Sequence, residues 1–97
     1  MMDLQDRSLF SAGCLVQHFK RETVSAEELE KDPMLYLYEI TGIAQDTETG
    51  RELMVYRALY GTKQLYARPL DMFLSPVDRD KYPSIRQVYR FMPLSET

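Results

Sequence analysis

Apolar and polar positions alternate along the middle of the chain, and this pattern predicts β-strands. Residues 52–60 carry an apolar or aromatic side chain at every second position, which is the spacing of one face of a strand. This segment is predicted as the central strand, with residues 35–44 before it and residues 64–68 after it. A shorter strand is expected over residues 14–20, where the same alternation appears.

Turn-forming residues separate the predicted strands. Gly50 ends the polar loop of residues 46–50, where a hairpin needs a residue with positive φ. Gly42 lies inside the first long strand and predicts a bulge or a sharp bend there. Residues 61–63 form the second turn, and Pro69 ends the strand after it because proline cannot donate to a ladder.

One short acidic segment has the pattern of a helix instead. Ser25 and Glu28 have the spacing of a capping box, with Ser25 as the N-cap. Pro33 disfavours the helical conformation of Asp32 and so ends the helix. The segment of residues 22–33 is therefore predicted as a helical insertion.

The C-terminal part contains a one-turn helix and an ambiguous last segment. Residues 70–74 have apolar side chains three positions apart, as in a single helical turn. In residues 82–92, Ser84 and Gln87 fit a second capping box, whereas the alternation of apolar side chains fits a strand. We favour a closing strand around residues 88–91.

These elements predict a mainly β fold, a small antiparallel SH3-like barrel of about five strands with a short inserted helix. Such fold analogy carries no function by itself. The barrel domain is placed at residues 13–92. It follows an N-terminal extension of residues 1–12, expected to be at most partly ordered, and precedes a tail of residues 93–97.

Composition narrows the class of protein. The chain has 97 residues, of which 44% are hydrophobic and 28% are charged, as in a single globular domain. The net charge of -3 argues against a long grip on a nucleic-acid backbone, which needs clustered Lys and Arg. There is no apolar run of membrane-spanning length and no signal-peptide pattern. A cytoplasmic protein without membrane association is expected.

The candidates for chemistry are few. His18 and Cys14 are the single histidine and the single cysteine, too few for an internal disulfide or a zinc site. The glycines are dispersed and form no phosphate-binding loop. We therefore expect no metal, no cofactor and no catalysis. An enzyme with His18 as base and Asp46 or Glu48 as its partner is kept as an alternative, which requires that they share one pocket.

Tyrosine and arginine side chains form the most promising candidate surface. The predicted binding residues are Tyr60, Tyr66, Arg68, His18 and Arg57. Small barrels bind extended peptides or single strands on aromatic faces, where an arginine anchors an anionic group. Two alternatives stay open: Tyr56 and Tyr60 are core residues with hydroxyls at the rim, or Arg68 pairs with Glu48 or Asp71.

Several short blocks match one known family in the same order. They are His18-Phe19-Lys20, Ile43-Ala44, Thr47-Glu48-Thr49-Gly50, residues 55–61, Ala67-Arg68-Pro69-Leu70, Met72-Phe73, Lys81-Tyr82-Pro83 and Tyr89-Arg90-Phe91. In these blocks the chain resembles the bacterial domain of unknown function 1653 family, over residues 13–91. It departs from the family in the insertion of residues 22–33, and in Asp46, where relatives often carry histidine. The resemblance implies no activity.

The sequence thus predicts a small binding module that docks an extended peptide or a small anionic ligand. A nucleic-acid-binding barrel that uses the same aromatic residues is the first alternative, and the enzyme described above is the second. The oligomeric state is left open.

Overall fold

This computed structural model describes residues 3–94, in which an antiparallel sheet dominates. The strands are β1 (Leu15–His18), β2 (Leu37–Gln45), β3 (Glu52–Ala58), β4 (Leu65–Pro69) and β5 (Phe91–Pro93). The helices are α1 (Ala26–Lys31) and α2 (Leu70–Phe73), with 3-10 helices at Arg7–Leu9 and Phe19–Thr23. The strand order is β4-β3-β2-β1-β5, and each neighbouring pair is antiparallel. The predicted mainly β fold is confirmed.

The β2–β3 hairpin forms where the glycines predict it. The register of the two strands shifts between Ile40 and Gly42, which leaves one residue of β2 unpaired and makes a bulge. Gly50 has φ 76° at the end of the loop, a conformation that costs glycine little. The Asp46 carboxylate accepts the backbone N–H of Glu48 at 2.9 Å. It therefore caps the turn.

The sheet curls strongly but does not close. In a flat sheet the two edge strands, β4 and β5, would lie four strand spacings apart, roughly 19 Å. Instead the guanidinium carbon of Arg68 on β4 is 5.9 Å from the ring centroid of Phe91 on β5. No β4–β5 pairing exists within residues 3–94. The predicted SH3-like barrel is therefore not confirmed.

The main core fills the concave face of the curled sheet. On β3, Met54, Tyr56 and Ala58 are buried, as the alternation of the central strand predicts. The rings of Phe73 from α2 and Phe91 from β5 stack at 4.1 Å between centroids. These contacts connect the two edges of the sheet through side chains, where no backbone ladder joins them.

The N-terminal segment packs more closely than the sequence predicts. Phe10 is only 3% exposed and lies in the main core, with its ring edge-on to Phe73 at 5.2 Å. The Gln5 side-chain amide donates to the carbonyl of Phe91 at 3.0 Å. The sequence predicts an at most partly ordered extension for residues 1–12, whereas these contacts hold Gln5 and Phe10 against the rest of the domain. Residues 1–2 lie outside the described part.

Several predicted strand boundaries are wrong by two residues or more. Strand β2 begins at residue 37 rather than 35, and β3 ends at residue 58 rather than 60. The first strand ends at His18 rather than at residue 20, since the His18 side chain caps the 3-10 helix Phe19–Thr23. The closing strand is Phe91–Pro93 rather than residues 88–91, and Tyr89 forms only an isolated bridge with Pro76. The predicted tail therefore begins inside β5, and residues 95–97 lie outside the described residues.

The inserted segment is anchored at its start rather than along α1. The capping box is confirmed, because the Glu28 N–H donates to Ser25 Oγ at 3.1 Å and the Ser25 N–H donates to Glu28 Oε1 at 3.3 Å. No residue of α1 is buried. The Glu22 carboxylate accepts the backbone N–H groups of Arg86 and Gln87, both at 2.8 Å. This contact fixes the 3-10 helix against the C-terminal loop.

Candidate functional site

A pocket of about 240 Å³ opens between the two edges of the sheet. Its wall is aromatic, formed by Tyr36, Tyr38, Tyr56, Tyr66 and Phe91. Its polar groups are His18, Lys20 and Arg68. A second depression of about 180 Å³ shares these three polar residues and adds Lys81, Arg90 and one carboxylate, Asp78. We call the two together the cationic pocket.

Strand register places the β4 side chains in this pocket. Tyr66 lies opposite the buried Tyr56, and Arg68 lies opposite the buried Met54. Because directly opposed residues in a ladder point to the same face, Tyr66 and Arg68 point to the concave side. His18 on β1 lies opposite Phe91 on β5. The curl of the sheet therefore brings His18 and Arg68 together from distant positions in the chain.

His18 presents a neutral ring with a defined tautomer. Its Nδ1 accepts the backbone N–H of Lys20 at 3.0 Å, so in the neutral form Nε2 carries the proton. Burial, followed by the positive charges of Arg68, Lys20 and Arg90, lowers the pKa of His18 to about 4. At neutral pH the ring is therefore uncharged and offers an Nε2–H donor.

Arg68 is a half-buried cation without an acidic partner. Among residues 3–94 its guanidinium forms no ion pair and no hydrogen bond, and it lies beside the Phe91 ring. Asp71, one partner considered from the sequence, pairs with Arg51 at 3.4 Å. Glu48, the other, lies at the tip of the β2–β3 hairpin. The prediction of a structural ion pair for Arg68 is wrong.

Tyrosine hydroxyls connect one wall of the pocket. The hydroxyls of Tyr38 and Tyr60 are 2.7 Å apart. Burial raises the pKa of both residues, and for Tyr38 this hydrogen bond raises the pKa further. Both are therefore protonated phenols at neutral pH. Tyr36 holds its ring against His18 and Tyr60 with a backbone φ of 65°, a conformation that is strained for a tyrosine.

The five residues predicted for the site fall into three groups. His18, Tyr66 and Arg68 meet in the cationic pocket. Tyr60 lies behind the pocket wall, half-buried against Tyr36 and Tyr38. Arg57 points to the opposite, convex face and donates to the carbonyl of Lys63 at 3.2 Å, so the structure does not bring it to the site. Tyr56 is 5% exposed, so its interpretation as a core residue is correct.

Sequence reasoning missed Lys20 and Arg90 as members of the site. Neither belongs to a strand, and their approach to His18 depends on the 3-10 helix and on the loop before β5. One signal was present, since both stand in short blocks that carry the family resemblance, His18-Phe19-Lys20 and Tyr89-Arg90-Phe91.

The acid–base pair considered for His18 is not formed. The backbone N–H of His18 donates to the carbonyl of Tyr36, which precedes β2. Asp46 follows the other end of β2. An extended strand of that length separates them by roughly 30 Å. Neither Asp46 nor Glu48 lines a pocket with His18. The partner roles predicted for both carboxylates are therefore wrong.

Residues 3–94 contain no helix long and apolar enough to cross a lipid bilayer. Over the same residues, no three His, Cys, Asp or Glu side chains are grouped so that they could hold a metal ion.

Comparison with known proteins identifies the family. No curated protein and no solved structure is significantly similar to the chain. The family model described as protein of unknown function (DUF1653) matches residues 15–93, a span that includes every residue of the cationic pocket. The match covers most of the chain and confirms the resemblance seen in the sequence. The chain belongs to the DUF1653 family of proteins of unknown function.

Proposed function

We propose that this domain binds a small anionic group, a phosphate or a carboxylate, in the cationic pocket. The observation that carries the proposal is Arg68, a half-buried residue whose guanidinium has no acidic partner within the described residues. A partly desolvated charge without a partner is unfavourable. An anion from outside would provide the missing partner.

The surrounding groups suit an anion in both geometry and charge. Arg68 offers a planar fork that can donate two parallel hydrogen bonds to one phosphate or carboxylate. Lys20 adds a second positive charge, and His18 adds a neutral Nε2–H donor. The aromatic wall excludes part of the water, so each of these interactions is stronger than it would be on an open surface.

The state of His18 supports binding rather than catalysis. A general base needs a free lone pair on the nitrogen that faces the substrate. Here Nδ1 is occupied by the Lys20 amide, and Nε2 carries the proton. The pKa of about 4 further weakens the ring as a base at neutral pH. His18 therefore acts as a hydrogen-bond donor in the proposed function.

Titration with inorganic phosphate tests this proposal. We expect saturable changes in the amide NMR signals of His18, Lys20 and Arg68 in an isotope-labelled protein. Arg68→Gln removes a charged donor, so the affinity should fall about tenfold or more. Arg51→Gln is the matched control, because Arg51 is already paired with Asp71, and it should leave the affinity unchanged.

Two results would overturn the proposal. One is the absence of saturable signal changes at these residues in the wild-type protein. The other is an equal effect of the Arg68→Gln and Arg51→Gln substitutions, which would indicate nonspecific screening by the salt rather than a site.

A nucleic-acid strand is the second candidate ligand, favoured by the exposed Tyr66 ring beside Arg68. Stacking on such a ring together with phosphate contacts is the usual mode for single strands. It predicts that the affinity for an oligonucleotide falls steeply with salt. A flat salt dependence, or no binding, would remove this candidate.

A further inference from the structure

We propose that the free edge of β4 takes up an extended peptide that bears an acidic side chain, and that this peptide adds to the sheet as a sixth strand. The inference rests on the proposed function, because the peptide carboxylate would occupy the anion site at Arg68. It goes further by assigning the ligand class and the backbone groups that hold it.

The alternation of hydrogen bonds along the β3–β4 ladder shows which backbone groups of β4 do not bond to β3. The Ala58 N–H donates to the carbonyl of Gln64 at 2.9 Å. In an antiparallel ladder, residues alternate between bonding to the partner strand and facing away from it. The backbone groups of Tyr66 and Arg68 therefore bond to β3. Those of Leu65 and Ala67 point to the open edge.

Within residues 3–94 no strand pairs with this edge of β4. The carbonyl of Leu65 accepts the Gln64 side-chain amide at 3.2 Å, and no other hydrogen bond to these outward backbone groups is formed in that part of the chain. Leu65, Tyr66 and Ala67 are all exposed. A row of exposed, unpaired amides and carbonyls is the template to which extended peptides add.

The other edge of the sheet offers a weaker template. Strand β5 has only three residues and ends in Pro93, and short strands and prolines are the usual protection of edges. Proline in β4 occurs only at its last position, Pro69. Leu65 and Tyr66 are 42% and 43% exposed, so the accessible part of β4 is apolar and uncharged.

Side-chain alternation links this edge to the anion site. A peptide residue that pairs with Ala67 directs its own side chain to the convex face, as Ala67 does. The peptide residues on either side of it then lie opposite Tyr66 and Arg68 and point into the cationic pocket. Opposed side chains in adjacent strands have their Cβ atoms about 5 Å apart. An acidic side chain opposite Arg68 would therefore reach its guanidinium.

Charge complementarity favours an acidic peptide over a neutral one. The basic side chains of the cationic pocket are Lys20, Arg68, Lys81 and Arg90, against the single carboxylate of Asp78. One oxygen of Asp78 is engaged by the backbone amides of Asp80 and Lys81. The excess positive charge attracts carboxylates, while the outward amides of β4 select an extended backbone.

The test uses a short, end-blocked peptide in which glutamate alternates with valine. Two control peptides match it. In one, glutamine replaces every glutamate; in the other, alternate backbone nitrogens are methylated on the edge that would pair. We expect binding by the first peptide, with about tenfold weaker binding for each control, because each lacks one of the two interactions. Hydrogen exchange should slow at the Leu65 and Ala67 amides when the first peptide is bound.

Ala67→Pro separates the peptide site from the anion site. It removes the outward N–H while leaving the bonds of Tyr66 and Arg68 to β3, and proline is tolerated at such edge positions. We expect peptide affinity to fall about tenfold and phosphate affinity to be unchanged. The matched control, Ala67→Val, keeps the N–H and should bind the peptide as the wild-type protein does. Unchanged phosphate binding also reports that the proline variant is folded.

The outcomes distinguish this inference from the proposed function. If phosphate binds but the glutamate peptide does not, the peptide inference is overturned and the anion site stands. If neither binds, both are overturned. Peptide binding without slower exchange at Leu65 and Ala67 overturns strand addition whatever the behaviour of the proline variant. The same holds if the methylated control peptide binds as tightly as the first.

Discussion

The arginines that line two cavities of the molecule differ in their partners. At the hairpin end, Arg7 pairs with Glu52 at 2.7 Å and Arg51 pairs with Asp71 at 3.4 Å, around a cavity of about 410 Å³. Arg68, in contrast, has no acidic partner within the described residues and lies in the cationic pocket, whose two depressions measure about 240 and 180 Å³. The cavity of about 410 Å³ is larger than either depression of the cationic pocket taken singly, yet its two arginines are already paired.

The pairing of the arginines distinguishes the two cavities better than their size does. In each of the two ion pairs at the hairpin end, the arginine is paired with a carboxylate. Despite its size, the cavity between them therefore attracts an anion only weakly. The cationic pocket keeps a half-buried charge, a neutral histidine and a strained Tyr36 next to one another. Strain and unpaired charge persist in a fold only where the surrounding packing holds them. Backbone strain and an unpaired charge therefore indicate the candidate site better than cavity volume does.

The largest expected effect comes from a buried aromatic residue in the wall of the cationic pocket. Phe91→Ala should lower the free energy of unfolding by about 3–5 kcal/mol, because a fully buried ring leaves a cavity. Phe91 is 1% exposed and stacks on Phe73. Urea unfolding measures the loss. The control is Met72→Ala, a residue that is 47% exposed and should change stability little.

A loss no larger than that of Met72→Ala would contradict this prediction. It would mean that the two edges of the sheet are not held together through the core. The cationic pocket, which lies between those edges, would then lose its structural basis.

The next effect is on stability as the pH falls. The pKa of His18 is about 4 in the folded protein against 6.5 for an ordinary histidine, so the unfolded chain binds the proton first. The contribution of neutral His18 to the free energy of unfolding is fully present above pH 6.5 and is lost as the pH falls toward about 4. The loss amounts to about 2 kcal/mol after allowance for the partial exposure of the ring. Urea unfolding at a series of pH values measures it.

His18→Asn provides the control, because asparagine keeps an oxygen that can cap the 3-10 helix but does not titrate. Measurements above pH 5 avoid the carboxyls of Asp6 and Glu52, whose pKa values are lowered by hydrogen bonds from Ser8 and Arg7 and which lose their contribution at lower pH. Equal slopes for the wild-type protein and the variant would show that His18 is not held neutral.

A smaller effect is expected on the pKa of His18. Arg68→Gln should raise the pKa of His18 toward its ordinary value, because the charge of Arg68 is the largest cause after burial that lowers it. Arg57→Gln should leave that pKa unchanged, since Arg57 lies on the convex face. His18 is the single histidine, so its ring NMR signal can be followed through a titration. A pKa that does not move would place Arg68 away from the ring.

The smallest effect is expected at the hairpin end. Arg7→Gln breaks an ion pair in which both side chains are about half exposed, and such pairs contribute little. We expect a slight loss of stability that moderate salt abolishes, with no change in phosphate affinity. Urea unfolding at low and moderate salt measures it. A large loss of stability, or a loss of phosphate affinity, would contradict the independence of this ion pair from the cationic pocket.

Much of the local structure could be predicted from short-range patterns. The strand at the centre, the bulge at Gly42, the turn at Gly50 and the capping box at Ser25 each depend on a few neighbouring residues. The prediction failed where a distant contact decides the outcome. Phe10, for example, packs against Phe73 from a distant part of the chain. The end of β1 was mispredicted for a local reason instead, because the His18 side chain caps the next turn and alternation alone does not predict such a cap.

Short-range patterns are enough to predict the succession of strands along the chain, the family and the residue types available for binding. Only the tertiary structure decided which of them meet. The curl of the sheet brings His18, Lys20, Arg68 and Arg90 together although His18 and Arg90 lie 72 positions apart in the chain, and it turns Arg57 away. The physical reason is that alternation defines the two faces of a strand, whereas the approach of the two sheet edges depends on core packing between residues far apart in sequence.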